Sequence, residues 1–491
     1  MVGVETPADP PRPDGTSATS IRRFLSDSAI YAGGLMVVRI SGLLLIPLYA
    51  SRLSRADFGL LGMYDTLVGV LALVATLGLA ESVGYHVARK GHDFNEALGG
   101  ALAATIVVAL GLSGLVVLVR LPVAELLVGS ANAYMLWFLA GSLIFNAVHN
   151  VGLAALRFAK RPWFYAGLLL AETVLKLSLN IVLVVFLNQG ARGVLWSNLL
   201  TYGVLTLISL TTFGWTALRR ANWSLLRPML SYGVTAMPGY LAARLEMSGN
   251  RLVLGPLAGL RDLGVYNLAD KVAQLPQFIN MPMSNAMRPH LYLVPSEDQA
   301  TFQKLTGLMA AMVFMAVLPV SLLVPEIVHV LGAGRYPDAA PLVQWLLLGM
   351  MLRASSGILG FGAQYKGRPG VTSAVVLCAM LLNLLANLWL VPRHGVLGSA
   401  WAGAASTGLM VLGGALTSRR LMGFSLRFAE VATVIMASTL MAFAIFGVER
   451  LALGVRLLPL VVLLPLMVHM MRVVRRRRKP VAQRVDGAAS A

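Results

Sequence analysis

Residues 34–65 read GLMVVRISGLLLIPLYASRLSRADFGLLGMYD, and residues 239–270, 205 positions later, read GYLAARLEMSGNRLVLGPLAGLRDLGVYNLAD. Gly34 falls on Gly239, Arg39 on Arg244, Asp57-Phe58-Gly59 on Asp262-Leu263-Gly264, and Asp65 on Asp270. Apolar matches carry little weight in so apolar a chain, whereas matches of scarce charged residues carry more. The offset lays the first expected membrane span on the seventh and the second on the eighth. An offset of six spans is even, so both copies keep the same orientation. Parallel repeats of this kind are related by an axis along the membrane normal, and their substrate sites lie between the repeats near the midplane.

The spans come from runs of about 20 apolar residues, the length needed to cross the hydrocarbon core. They fall at 28–50, 58–82, 97–119, 134–157, 163–187, 191–216, 229–254, 263–291, 302–325, 341–363, 369–391, 396–418, 428–447 and 451–471. The expected fold is an all-α polytopic membrane protein with 14 transmembrane helices: two parallel six-helix lobes plus two C-terminal helices. The N-lobe is 28–217, a cytoplasmic connector 218–228, the C-lobe 229–418, and the last helix pair 428–471. The segment 1–27 is proline-rich at Pro7, Pro10, Pro11 and Pro13 and reads as a disordered cytoplasmic tail; 472–491 reads as a basic cytoplasmic tail. No signal-peptide pattern opens the chain, so the first span acts as its own insertion signal.

The chain is 57% hydrophobic and 12% charged, with mean hydropathy +0.75. Its net charge of +19 does not indicate nucleic acid, because the basic residues sit in short spacers between apolar runs. Arg89, Lys90, Arg157, Arg161, Arg219, Arg220, Arg288, Lys366, Arg419 and the run Arg475–Lys479 lie on the side of the N-terminus. The opposite loops hold fewer, among them Arg52, Arg55, Arg120, Arg335 and Arg393. A bias of about three to one places both termini in the cytoplasm. The lone cysteine, Cys378, excludes a disulfide framework and a paired-cysteine metal site. No metal-ligand spacing, P-loop or nucleophile elbow is present, and no loop is long enough for a catalytic domain. The sequence therefore predicts neither an enzyme nor a bound cofactor or metal.

Charges inside the spans are the candidates for function. A mid-membrane Arg or Lys costs about 2.5–3.5 kcal/mol even on the lenient insertion scale, and such groups face the bundle interior or a wet cavity. Arg39, Arg244, Arg251, Lys271 and Arg353 form the expected cationic cavity, which suits an anion because arginine donates two parallel hydrogen bonds to phosphate. The competing reading is ion pairing with Asp65, Glu81, Glu172, Glu246 and Asp270. Glu172 and Lys176 are spaced for a pair on one helix face. Asp65 and Asp270 are also candidate coupling carboxylates for protons or sodium. His149, with Asn146 and Asn150, reads either as a proton relay or as a hydrogen-bonded interior histidine. Pro238, Pro276 and Pro282 interrupt the seventh and eighth spans and fit helices that bend.

Arg39-Ile40-Ser41-Gly42, Pro47-Leu48-Tyr49, Arg52-Leu53-Ser54 and Asp57-Phe58-Gly59 follow one another here. So do Tyr232-Gly233, Pro238-Gly239, Asn250-Arg251-Leu252-Val253-Leu254-Gly255 and Leu263-Gly264-Val265-Tyr266. In that order the chain resembles the polysaccharide transporters of the Wzx-like oligosaccharide flippase branch of the multidrug/oligosaccharidyl-lipid/polysaccharide exporter superfamily. The family's usual aspartate before that arginine is Asn250 here, so no carboxylate role carries over to it. The resemblance implies a two-lobed transporter that alternates between inward-open and outward-open states in the bacterial inner (cytoplasmic) membrane. It implies a polyprenyl-pyrophosphate-linked oligosaccharide as cargo, with membrane lipid, a polysaccharide polymerase and glycosyltransferases as partners. Rival readings are a lipid II flippase, a multidrug or cation exporter, for which the excess of buried cations is unsuited, and a membrane glycosyltransferase or polymerase, for which a catalytic domain is lacking.

Overall fold

The computed structural model describes residues 18–159, 161–295 and 298–447. These residues are helical, with no strand among them. The first half runs α1 (Ala18–Arg52), α2 (Arg55–Thr76), α3 (Leu79–Lys90), α4 (Phe94–Leu118), α5 (Arg120–Leu127), α6 (Tyr134–Phe158), α7 (Pro162–Asn180), α8 (Gly190–Ser209) and α9 (Trp215–Arg219). The second half runs α10 (Trp223–Ser248), α11 (Asn250–Ala273), α12 (Gln277–Tyr292), α13 (Gln299–Leu322), α14 (Val324–Leu331), α15 (Ala339–Leu359), α16 (Phe361–Tyr365), α17 (Pro369–Met422) and α18 (Arg427–Phe446). Among the described residues 10 helical stretches are long and apolar enough to cross a membrane, and the chain is a multi-pass membrane protein.

Three departures from the sequence reading have local causes. Helix α1 begins at Ala18, so the expectation of disorder through residue 27 is corrected for 18–27. The prolines end at Pro13, and Ile21, Arg22, Arg23, Phe24 and Leu25 oppose no helix. Helix α17 is 54 residues long but breaks at Gly395, whose φ of 55° only glycine adopts freely, so it covers both expected spans 369–391 and 396–418. The expected spans 229–254 and 263–291 fall on α10 to α12; non-helical backbone at Gly259 (φ 84°) separates them, Pro238 stays inside α10, and Pro276 stands at the break between α11 and α12, as expected. Their polar content (Arg244, Glu246, Arg251, Asp270 and Lys271) keeps them out of the ten. The expected span 451–471, the basic run Arg475–Lys479 and residues 1–17 lie outside the described residues.

Helix α2 shows how sequence sets the frame. Ser54 caps it, its hydroxyl accepting from the Asp57 backbone N–H at 3.1 Å while the Asp57 carboxylate accepts from the Ser54 N–H at 3.3 Å. This reciprocal box satisfies two otherwise unpaired amides. The aspartate of the Asp57-Phe58-Gly59 motif is therefore a capping residue. Further along, Tyr64 is buried and donates to Ser142 Oγ at 2.6 Å, tying α2 to α6.

Helices α2 and α11 cross at backbone contact. A Cβ on Gly59 would collide with the Leu260 carbonyl, and a Cβ on Gly264 would collide with the Arg55 carbonyl. Residue 55 is the repeat counterpart of 260, and 59 that of 264, so the contact is reciprocal about a local two-fold axis. Next to it, Asn267 Nδ2 donates to the Phe58 carbonyl at 3.0 Å, over Gly62. Lipid tails are as apolar as leucine, so helices in a bilayer associate through close approach at small residues and through interhelical hydrogen bonds. Gly59→Ala or Gly264→Ala is expected to cost about 1–3 kcal/mol, the usual range for overpacking. Gly42→Ala, where an added Cβ meets nothing within 4 Å, is expected to leave stability unchanged. Thermal unfolding of the three variants in detergent checks this.

Candidate functional site

A chamber of about 800 Å3 lies among α2, α3, α6, α7, α8 and α10. Helix α2 contributes Asp65, α3 Glu81, α6 Arg157, α7 Lys176, α8 Tyr202 and α10 Arg244. Asn146 and Asn150 extend the polar lining along α6, joined by an Asn150 Nδ2 to Asn146 Oδ1 hydrogen bond of 2.7 Å. Gly69 makes room for Arg244: a Cβ there would overlap the guanidinium. Arg244 is half-buried, its Nε has no hydrogen-bond acceptor, and it forms no ion pair among the described residues. Asp65, Glu81 and Arg157 likewise have no ion-pair partner among the described residues.

Lys176 has two roles. Its ammonium donates to Glu172 Oε1 and to the Tyr202 hydroxyl, each at 3.0 Å, and sits 4.6 Å from the Tyr202 ring centre. The pair expected from the spacing is present, and its lysine also borders the chamber. His149 is buried with neither ring nitrogen hydrogen-bonded; its Nε2 lies 3.9 Å from Glu172 Oε2.

Of the five cations expected to share one cavity, the structure brings only Arg244 to the chamber. Arg39 sits on α1 and donates to Met281 Sδ on α12 at 2.8 Å. Arg251 is paired with Asp270 and also donates to Thr66 Oγ1 at 3.3 Å. Gln274 Nε2 completes that carboxylate at 2.7 Å. Arg353 is paired with Glu246, with Nη2 2.7 Å from Oε1. Lys271, in α11, is not among the chamber's lining residues and forms no ion pair among the described residues. Asp270 is thus engaged by Arg251, whereas Asp65 faces the chamber unpaired. The physical reason is burial: Glu246 and Asp270 in the second half need partners, and Arg353 and Arg251 are in reach.

The chamber is accordingly of mixed charge, with three cations and two carboxylates, and not a purely cationic one. The sequence reading did not place Arg157, Lys176 or Glu81 in the cavity: it took Glu81 and Lys176 as ion-pair candidates. Arg157 sits at a span end and read as a topology anchor. The spacing of Asn146, Asn150, Ala154 and Arg157, by fours and a three, puts all four on one helix face and was the available signal. Asn250 is structural: it donates to the Tyr266 hydroxyl at 2.9 Å and accepts from Asn387 Nδ2 at 3.2 Å.

A clasp joins the two halves at the α1–α2 turn. Arg55 pairs with Asp338 at 2.9 Å and donates to the Arg335 carbonyl at 3.2 Å from Nε. Arg335 in turn donates to the carbonyls of Ala50 (3.1 Å) and Ser51 (2.9 Å). No group of three or more His, Cys, Asp or Glu side chains suited to a metal ion exists among the described residues.

Residues 50–331, more than half of the chain, match the family described as polysaccharide biosynthesis protein. The chain belongs to that family. It is 25% identical over 244 residues to the amylovoran biosynthesis protein AmsL of Erwinia amylovora, spanning 48% of this chain and 63% of that one. The match thus covers less than two thirds of that relative. It is 20% identical over 444 residues to the probable low-salt glycan biosynthesis flippase Agl15 of Haloferax volcanii, spanning 88% of this chain and 90% of that one. Among solved structures, the lipid II flippase MurJ in an inward closed conformation superposes with a TM-score of 0.69 at 11% identity, over 91% of this chain and 98% of that one. An inward-facing multidrug resistance MATE family transporter superposes with a TM-score of 0.59 at 16% identity, over 86% and 99%. These likenesses establish a shared fold.

The paired and unpaired charges should respond differently to mutation. Arg251→Ala leaves the Asp270 carboxylate largely buried without its cation and is expected to destabilise the protein by about 3–5 kcal/mol. The double variant Arg251→Gln with Asp270→Asn is expected to lose markedly less, and Arg244→Ala, which strands no partner, less than about 1 kcal/mol. Detergent-solution melting curves separate the three.

Proposed function

We propose that this protein is a flippase that carries a polyprenyl-pyrophosphate-linked oligosaccharide from the cytoplasmic to the outer leaflet of a prokaryotic cytoplasmic membrane, for surface polysaccharide assembly. One observation carries the reading: a roomy chamber, in a transporter-type fold, holds a half-buried arginine whose Nε lacks an acceptor. A pyrophosphate supplies the oxygens that Arg244 lacks, with Lys176 and Arg157 on other walls. The asparagines and Tyr202 offer donors and acceptors to sugar hydroxyls. The name borne by the Haloferax relative and the family's description support the same cargo class. No catalytic step is required of the chain.

The finer architecture belongs to this proposal. Counting α17 as two spans and adding the polar spans of α10 to α12 gives 13 among the described residues, and 451–471 would be the fourteenth. The reciprocal Gly59–Gly264 contact supports two like lobes, 28–217 and 229–418, that rock about the α2–α11 crossing. The lysine and arginine bias supports cytoplasmic termini. With that orientation the Arg55–Asp338 clasp holds the halves together on the outer side. Moving an anion outward across an inside-negative membrane is favoured by about 2.3 kcal/mol per charge per 100 mV. Asp65 is the better coupling carboxylate, since Asp270 is held by Arg251. Polymerase and glycosyltransferases remain the proposed partners.

The two unpaired carboxylates Asp65 and Glu81 favour a second reading, export of an organic cation. Transport into sealed vesicles distinguishes the two. Purified protein is expected to expose a lipid-linked oligosaccharide to an external glycosidase and to leave a lipophilic cation gradient unchanged. Arg244→Ala is expected to slow the exposure about ten- to hundredfold, the equivalent of one lost charge-assisted hydrogen bond of about 1.5–3 kcal/mol. Cation export with no movement of the glycolipid would overturn the flippase reading.

A further inference from the structure

A second cavity, of about 340 Å3, lies between α12, α13 and α15, within the usual size range of ligand pockets. Seven of its 17 lining residues are methionine, against 23 in the 491 residues of the whole chain. Met283 and Met287 come from α12, Met309 and Met312 from α13, and Met350 from α15. Unbranched, polarizable methionines mould themselves to irregular apolar shapes. No carboxylate lines the cavity. Its polar groups are of another kind. Arg288 extends from α12 toward α15, where Gly357 leaves room: the guanidinium would lie 3.6 Å from a Cβ there. Arg288 has no ion pair among the described residues. Asn280 borders the same space, and both atoms of its side-chain amide are buried without a hydrogen-bond partner.

An apolar, adaptable wall with one free cation and one unsatisfied amide matches an amphiphile with an anionic end. The cavity also adjoins the polar chamber, because Met247 of α10 lines both. We infer that this cavity is a prenyl-phosphate subsite. The methionines pack on the isoprene units nearest the head, and Arg288 with Asn280 donates to phosphate oxygens. Met247 marks the passage by which the head reaches the chamber while the chain stays behind. The inference rests on the flippase reading for its cargo and adds where the lipid part of that cargo sits. Charge selects the occupant: a neutral lipid tail would leave Arg288 and Asn280 unanswered, and a cationic amphiphile would meet Arg288 and Arg353 with no carboxylate on the wall.

Binding of farnesyl phosphate and farnesol to the full-length protein in detergent, followed by native mass spectrometry, tests the subsite. Met309→Trp with Met312→Trp fills the cavity and is expected to weaken farnesyl phosphate at least about tenfold. Met309→Leu with Met312→Leu is expected to stay within about twofold. Arg288→Gln is expected to abolish the preference for farnesyl phosphate over farnesol. Unchanged affinity in a folded tryptophan variant, or a preference that survives Arg288→Gln, overturns the inference. Should the tryptophan pair not fold, the Arg288→Gln comparison decides alone. A protein that binds as expected but moves no glycolipid in vesicles defeats the flippase reading and leaves the subsite standing. One that moves glycolipid but ignores both changes defeats the subsite alone.

Discussion

The crossing of α2 over α11 brings the two halves of the chain together backbone against backbone. Gly59 faces the Leu260 carbonyl and Gly264 faces the Arg55 carbonyl, so neither position has space for a side chain. In a bilayer this closeness matters more than apolar area, since lipid competes equally for apolar surface. Asn267, donating to the Phe58 carbonyl, locks the register of the crossing. One turn or more along the same two helices stand Thr66, Arg251 and Asp270, so the crossing continues into a buried ion pair. A contact that is tight at one level lets the helices diverge at others, and the chamber occupies the space on one side of it.

The same logic sorts the intramembrane charges. A buried carboxylate without a cation is costly, and in the second half each is answered: Glu246 by Arg353, Asp270 by Arg251. Small residues and amides fill the remaining space there, leaving a cavity of about 60 Å3 beside those pairs. Around the chamber, by contrast, Asp65, Glu81 and Arg157 of the first half and Arg244 of α10 have no ion pair among the described residues, while Lys176 is held by Glu172. The two halves therefore share a frame but differ in content: the first half and α10 line the polar chamber, and the rest of the second half forms a packed interior with a methionine-lined cavity at its flank.

Much of the frame was legible in the sequence because span length and scarce charges leave clear marks. The 205-residue offset pointed to the residues that meet at the crossing, although it could not say that they touch. Individual partnerships were not legible. Arg39 and Arg244 are repeat counterparts, yet one contacts Met281 and the other lines the chamber. Spacing along one helix reveals a pair such as Glu172–Lys176, whereas Arg353 and Glu246 are 107 residues apart and meet only through packing. The start of α1 was missed because a proline-rich tail gives no signal at the residue where its prolines stop.

The central claim is that the two halves rock about the glycine crossing, so that the outer clasp and the chamber mouth open in alternation. Spin labels report this directly, in a chain with Cys378 replaced by serine. One pair, Arg52→Cys with Pro337→Cys, spans the clasp; another, Arg157→Cys with Tyr240→Cys, spans the chamber. Distances measured across lipid and cargo conditions should be anticorrelated, the clasp pair lengthening as the chamber pair shortens. Two pairs that stay fixed, or that lengthen together, would contradict the account.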